Sequence, residues 1–373
     1  MKIVIIGGGV AAFEAAVAAR GGDAAAEIVV CSREKVPPYR RPALSGMVAQ
    51  DLDDARFYIK SADFYERERI DVRLGVTATK LDLTAKTVEF ADGEKTAYDR
   101  LVIATGARPF VPPVPGLSGE KVAVLREFAD LENLRARLYG NCRKVAVLGG
   151  GVLGLELAAA LLERGLEVTV VENAPAIMPR NLDADASRAV MEHLQKLPKL
   201  ALRFGVSAAN WDGEKLALSD GSAVEADLVC VSAGVRANIQ LAADAGIKCN
   251  RGIGVDDAMR VPEEGGVFAA GDVAECNGTG CGLYNTARAM GKTAGINAAG
   301  GEATFKFEAT PVRLATFGLK IFSAGDVSGT GEGGGDVANY RKLFRDENGK
   351  LRGAILMGNV SEALKLQAEI DGK

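Results

Sequence analysis

Three groups of residues in this chain have the types and spacing to do chemistry. Cys276 and Cys281, in AGDVAECNGTGCGLYNTA, leave four residues between two thiols, so a dithiol–disulfide pair is conceivable. In KIVIIGGGVAAFEAAVAA, Gly7, Gly9 and Ala12 occupy the three small positions of a dinucleotide fingerprint, and in KVAVLGGGVLGLELAAALL, Gly149, Gly151 and Gly154 do the same. The first small residue permits a tight turn, the second lets backbone approach a pyrophosphate, and the third lets helix pack against strand with the helix N-terminus facing the phosphates. One such cluster is a weak signal, because glycines after a strand often serve only the turn. Two clusters, each between an apolar β-rich run and an alanine-rich helical run, point to two dinucleotide sites.

An acid at the end of the next strand is expected to bind ribose hydroxyls. In the second unit that acid is Glu172, eighteen residues past Gly154. Asn173 and Ala174 follow it, with no adjacent Arg or Lys to meet a 2′-phosphate, so NADH is favoured over NADPH. In the first unit the strand ends VVCSREK, and the candidate is Glu34.

The elements that must position these residues form a repeat. Each glycine cluster opens a βαβ unit that continues into a further apolar run, EIVVCS or EVTVVE, and then into short alternating strands. RPFVPPVPG, with four prolines in nine residues, favours extended chain and reads as the linker between the units. Near the C-terminus VANYRKLFRDENGKLRGAILMGN reads as two strands around an Asn-Gly turn, and SEALKLQAEI as an amphipathic helix. GTGEGGG reads as a hairpin tip without chemistry. The expected fold class is α/β, with two Rossmann-like domains carrying antiparallel β-meander insertions and a small α+β C-terminal domain. The expected divisions are residues 1–110 with 233–300, 111–232, and 301–373.

Composition excludes much else. The chain has 373 residues, of which 48% are apolar and 25% charged, and no apolar stretch is long enough to span a bilayer. MKIVIIGGG meets glycines rather than a cleavage site and reads as a buried strand, so the cytoplasm is the expected location. A net charge of -4 argues against a nucleic-acid surface. Six cysteines in this length do not make a disulfide framework. A single histidine, His193, leaves no material for a His triad or a His-rich metal site, and no metal is expected. His193 itself reads as a surface helix residue.

The segments GGGVAA, YDRLVIATGARP, GGGVLGLELA, ADLVCVSAGVRAN and VFAAGDVAE together resemble the FAD-dependent pyridine nucleotide oxidoreductases with the two-dinucleotide-domain fold of glutathione reductase, over nearly the whole chain. The resemblance implies FAD on the first unit, with the Thr105-Gly106 loop against it, the backbone of Ala78 by the adenine, and Asp272 on the ribityl and phosphate region. It implies NADH on the second unit, at the glycine loop, Glu172 and Gly234. PYRRPALSG is similar to a segment of rubredoxin reductases and oxygenase-linked ferredoxin reductases, placing Arg41 and Pro42 beside the flavin, and Tyr284 is expected to pack near the ring. The ending is similar to that of NADH:rubredoxin reductases and the reductase of flavorubredoxin.

Two departures bear on mechanism. Ferredoxin reductases of this group carry a lysine after the Leu-Ser pair that can meet the glutamate of the second glycine motif; here that position is Gly46, so Glu156 lacks this partner. Glu156 either orients the nicotinamide carboxamide or is a buried helix residue bonded elsewhere. The family's reactive cysteine position is Ser45, which cannot cycle through a thiolate, whereas Cys276 and Cys281 follow the AGD strand. They are expected to be spectators, with an accessory disulfide as the alternative. The implied activity is hydride transfer from NADH to FAD N5, then single electrons to a small iron protein of the rubredoxin, flavorubredoxin or ferredoxin type. Arg288, Lys292, Arg313 and Lys320 are the expected basic rim. Competing readings are an NADH oxidase, peroxidase or thiol reductase using Cys276 and Cys281, and a redox-controlled binding flavoprotein resembling apoptosis-inducing factor. A monomer or weak dimer is expected.

Overall fold

The computed structural model of the chain describes residues 1–308 and 310–372. Two five-stranded parallel sheets are built alike. In the first the strand order is Val267–Ala269, Arg100–Ile103, Lys2–Ile6, Glu27–Ser32 and Ile70–Leu74. In the second it is Leu200–Phe204, Glu167–Glu172, Lys144–Leu148, Leu228–Val231 and Val122–Val124. Their central strands, KIVII, RLVI, KVAVL and LVCV, are apolar without alternation because both faces are covered; in the second sheet Val145, Val147 and Cys230 face helices, and Ala146, Leu148 and Val229 face the antiparallel meander with Trp211 and Leu216. A three-stranded antiparallel meander interrupts each unit, at residues 78–97 in the first and 208–225 in the second. Val267–Ala269 joins the first sheet from far along the chain. The two passages between the units run side by side, with Ala107–Pro109 paired antiparallel to Val235–Ala237.

The third sheet is antiparallel, in the order Val312–Thr316, Leu319–Gly325, Leu351–Gly358, Asn339–Arg345 and Glu332–Gly334. Both faces are buried. Side chains on one face, including Phe322, Ala324 and Leu356, pack under the helix Ala363–Ile370. Those on the other, including Ile321, Tyr340, Ile355 and Met357, share a core with Leu155, Met178, Leu182 and Val190 of the second unit. The period-2 alternation of the strands thus fixes this sheet to the second unit. Lys342, whose side chain is 9% exposed, reinforces the junction by pairing with Asp183 and Asp185 at the start of the helix Ala184–Leu194.

Three sequence expectations need correction. GTGEGGG is an edge strand, not a free tip: Gly333 (φ 104°) lies so close to the partner strand that a Cβ would stand 2.2 Å from the Arg341 carbonyl oxygen. His193 is half-buried and tied to the third domain, with Nε2 3.0 Å from the Phe317 carbonyl oxygen. The stretch from Tyr39 to Phe57 also leaves the first sheet: Tyr39, Leu44, Met47, Val48 and Phe57 are buried in one core with Leu131, Leu134, Leu157 and Leu161 of the second unit.

The helix Val10–Gly22 after the first glycine loop is crossed by the helix Tyr284–Ala298. Contact is backbone to backbone, because a Cβ on Gly291 or Gly295 would fall 2.3 Å from the Ala11 carbonyl oxygen or 2.2 Å from that of Ala15. Gly291→Ala is therefore expected to destabilise the protein by about 2 kcal/mol or more through overpacking, read as a lower denaturant midpoint with unchanged m-value.

Candidate functional site

Both glycine loops open onto one cavity of about 1530 Å³, larger than the usual single-ligand pocket and lined from both units. Gly7 (φ 141°) turns the first loop so close to the end of a neighbouring strand that a Cβ would stand 2.1 Å from the Ala104 carbonyl oxygen. Gly149 (φ 121°) does the same against Ser232, at 2.3 Å. Gly9 and Gly151 are the N-caps of the two following helices, neither has a side-chain cap, and no acid lies in either first turn. Nothing lies within 4 Å of a Cβ built on Gly9 or Gly151. Each helix thus presents unsatisfied N–H groups and its positive dipole end to open space, a cradle that fits a pyrophosphate. Ala12 and Gly154 are absent from the wall. Ala12 is fully buried, and a Cβ on Gly154 would meet the Gly149 carbonyl oxygen at 2.0 Å, so the third small position of each motif serves packing.

The remaining candidates, Glu34, Arg41, Pro42, Ala78, Thr105, Gly106, Glu156, Glu172, Gly234, Asp272 and Tyr284, all line the cavity. Glu172 is aimed by its own loop, accepting from Gly150 N at 2.7 Å and Ala174 N at 2.8 Å. Glu34 is more engaged than the sequence suggested. It accepts from Tyr39 Oη at 2.7 Å, Arg41 at 2.7 Å and Phe128 N at 3.3 Å. Arg41 also donates to the Arg126 carbonyl and lies over the Tyr39 ring. Thr105 and Asn238 exchange side-chain to backbone hydrogen bonds, at 3.1 and 2.9 Å, and so tie the loop after Ile103 to the second interunit passage. Tyr284 begins the helix against the first unit, and burial raises its phenol pKa.

Glu156 has found a different partner from the missing lysine. The segment Leu44–Met47 packs on the helix Val152–Glu163, and the Ser45 hydroxyl stands beside the Glu156 carboxylate, where it favours the ionised form. Burial raises the pKa of this carboxyl, and the Ser45 hydroxyl opposes the rise only in part. Gly46 itself points a would-be Cβ into open space.

Sequence reasoning missed Arg126. Its guanidinium pairs with Asp272, both side chains being largely buried, at 17% and 15% exposure, and its Nε donates to the Ala107 carbonyl at 3.2 Å. The available signal was its place just ahead of the Glu127–Asp130 capping box that starts the helix Phe128–Leu138. Among the expected rim residues, Arg288 is paired with Glu14 at 2.7 Å and Arg313 lies over Phe322, while Lys292 and Lys320 are exposed.

Cys276 and Cys281 are both free thiols with separate surroundings. Cys276 is 1% exposed and donates toward the Asp256 carbonyl at 3.7 Å and Asp257 at 3.8 Å; burial pushes its pKa up to about 11. Cys281 donates toward the Leu283 carbonyl at 3.6 Å, and burial together with the Asp272 charge pushes its pKa up to about 12. Neither thiol is a nucleophile at neutral pH. Among the described residues no helix is long and apolar enough to cross a membrane.

Comparison with known proteins follows the same lines. The family model for pyridine nucleotide-disulphide oxidoreductase matches residues 1–291, and that for the rubredoxin NAD+ reductase C-terminal domain matches residues 312–373. The chain is 30% identical to an NADH-rubredoxin oxidoreductase of Clostridium acetobutylicum over 99% of its own length and 94% of that protein's. It is 33% identical to a nitrite reductase [NAD(P)H] of Bacillus subtilis, over 89% of its own length but 41% of that protein's. Against another Bacillus subtilis protein, an assimilatory nitrate reductase electron transfer subunit, it spans 45% of that relative's length. Among solved structures, a ferredoxin reductase of Rhodopseudomonas palustris is similar with a TM-score of 0.89 at 26% identity, covering 97% of this chain and 92% of that one. The NADH:rubredoxin oxidoreductase of Clostridium acetobutylicum is similar with a TM-score of 0.82 at 29% identity, covering 100% and 95%. The chain belongs to the pyridine nucleotide-disulphide oxidoreductase family.

Proposed function

We propose that the protein is an FAD-dependent NADH oxidoreductase that delivers electrons to a small iron protein of the rubredoxin or ferredoxin kind. The observation that carries this reading is the pair of uncapped helix N-termini facing one cavity, a fit for two dinucleotides end to end. When bound, FAD supplies the conversion of a two-electron hydride into single electrons. The chain's residues do the rest. Gly7, Gly9 and the first helix N-terminus hold the FAD pyrophosphate, Asp272 and Arg126 hold the polar chain between pyrophosphate and ring, and Thr105, Gly106, Arg41, Pro42 and Tyr284 frame the ring. Gly149, Gly151, Glu172 and Gly234 seat NADH, with Glu156 toward its nicotinamide. Residues 1–110 with 233–300 would then form the FAD domain, apart from the Tyr39–Phe57 excursion into the second core, with residues 111–232 the NADH domain and 301–373 the C-terminal domain. A cytoplasmic setting suits such a carrier.

Two observations disfavour the thiol-reductase reading: Ser45 stands where that chemistry would place a cysteine, and Cys276 is buried and Cys281 half-buried, both with raised pKa values. Acceptor docking is assigned to the cavity mouth at Tyr284 and Arg313, with the exposed Lys292 and Lys320 as further positive charge; Arg288 contributes less because Glu14 offsets it.

Anaerobic titration with NADH is expected to show uptake of two reducing equivalents per FAD. The Cys276→Ser/Cys281→Ser double variant is expected to give the same stoichiometry and, within about twofold, the same rate with rubredoxin. Uptake of four equivalents, falling to two in the double variant, would establish the thiol relay instead. Arg126→Ala is expected to leave Asp272 unpaired and to lose most of its flavin on gel filtration, measured as the absorbance ratio of flavin to protein, while keeping its circular dichroism.

A further inference from the structure

The acids of the cavity wall are nearly all met by a cation or by N–H groups. Glu34 has Arg41, Tyr39 and Phe128 N; Glu127 has Arg33 and its capping box; Glu172 has two backbone N–H groups; Asp244 has the Gln240 amide at 2.6 Å; Asp272 has Arg126. Glu156 is met by neither; the Ser45 hydroxyl beside it is the one neighbour that favours its ionised form. The charged groups on the elements packed around it are committed elsewhere. Arg41 is held by Glu34 and the Arg126 carbonyl, and Lys144 by Glu225. Arg313 lies over the Phe322 ring, and Arg164 reaches the Val48 carbonyl. Glu172 is bound to its own loop, and Glu163 and Glu167 lie toward the far ends of their elements. What sets the proton affinity of Glu156 is burial, which raises it, and Ser45, which lowers it. A half-buried carboxylate in this position lacks a counter-charge from the protein itself.

The position matters because of what reaches it. Glu156 lies five residues past Gly151 on the same helix, about 7.5 Å along the axis from the phosphate cradle, on the side that faces Ser45 and the first unit. A dinucleotide seated at Gly151, as in the proposed function, would bring its nicotinamide end to this side of the cavity. Its ring is uncharged as the dihydropyridine and carries one positive charge as the pyridinium.

We propose that Glu156 is a proton-linked sensor of the nicotinamide's oxidation state, neutral beside NADH and ionised beside NAD+. The inference rests on the seating of NADH at the second glycine loop. When NAD+ occupies the site, the O–H bond of Glu156 breaks, its proton passes to solvent, and the carboxylate offsets the pyridinium charge. When NAD+ leaves and NADH enters, one proton returns. Net charge around the ring is unchanged, and no electrons move in either step. The Ser45 hydroxyl sets the midpoint by favouring the ionised form.

The test is calorimetric binding of NAD+ and of 1,4,5,6-tetrahydro-NAD, a reduced analogue that does not transfer hydride, to the oxidised holoenzyme from about pH 5.5 to about pH 8.5. Two buffers of different ionisation enthalpy count the protons. NAD+ is expected to tighten by about tenfold as pH rises and to release up to one proton per site at the low end, while the reduced analogue shows neither effect. Glu156→Gln is expected to flatten the NAD+ profile, and Ser45→Ala to move it to higher pH. Linkage gives a readout free of nucleotide. A carboxyl whose folded pKa is raised favours folding below its unfolded value and loses that contribution as pH rises through the folded value, so Glu156→Gln should gain thermal stability over the wild type at high pH and not at low pH. Parallel NAD+ and analogue profiles, or an NAD+ dependence that survives Glu156→Gln, would overturn the inference and leave the NADH site standing. Binding of neither nucleotide would overturn the parent reading, and the inference with it.

Discussion

Everything in this structure depends on the approach of a glycine backbone to a neighbouring strand end. At Gly7 and Gly149 the chain turns within 2.1–2.3 Å, Cβ to oxygen, of a carbonyl that any side chain would strike. That approach brings the next helix in under the loop, leaving its first N–H groups uncapped and pointing outward. A helix end without a cap is a local loss of stability in the empty protein, and a bound anion reverses it. The same exclusion of side chains recurs at Gly154, where a helix meets its own glycine loop, and at Gly291 and Gly295, where two helices meet backbone to backbone. Close packing behind the loops and open space ahead of them are two sides of one steric constraint.

Around that constraint the chain distributes its apolar surface unevenly. The second unit gathers both the Tyr39–Phe57 excursion and one whole face of the C-terminal sheet into its cores, while the first unit is tied to the rest by the Ala107–Pro109 and Val235–Ala237 ribbon, the Thr105–Asn238 bonds and the Arg126–Asp272 pair. The second unit, the excursion and the C-terminal sheet therefore share buried surface. Ser45, which rides on the excursion, and Val312 and Arg313 at the start of the C-terminal sheet therefore line the cavity from the side of the second unit.

How much of this could be read in the sequence varied with the range of the interaction. The two parallel units, their meanders, the proline-rich passage and the glycine cradles were legible because each is a local pattern: apolar runs, small residues at fixed offsets, turn residues between short strands. Arg126 was not, because its importance lies in a pairing with Asp272 across 146 positions, and nothing in VAVLREFADL marks it apart from the capping box. Neither was the docking of Tyr39–Phe57 into the second core, since the apolar residues of that stretch have no period that says which sheet they cover. Glu156 stood between two readings in the sequence. The absent lysine at Gly46 removed one partner, and the packing of residues 44–47 on the second helix supplied another, Ser45.

The cysteines show why spacing alone cannot assign chemistry. A redox thiol needs access to its electron source and a share of thiolate, and both are properties of environment rather than of sequence interval. Cys276 and Cys281 sit on either side of a tight turn between Ala274–Cys276 and Thr279–Gly280, which holds their chain close. Yet Cys276 is turned toward Asp256 and Asp257, Cys281 toward Asp272, and each carboxylate opposes ionisation of the thiol beside it. The N–H groups of Gly282 and Leu283, at the start of the helix Tyr284–Ala298, act the other way on Cys281 but do not outweigh burial. Burial is the larger cause for both thiols and the carboxylates add to it, so a redox-like interval holds two protonated sulfurs.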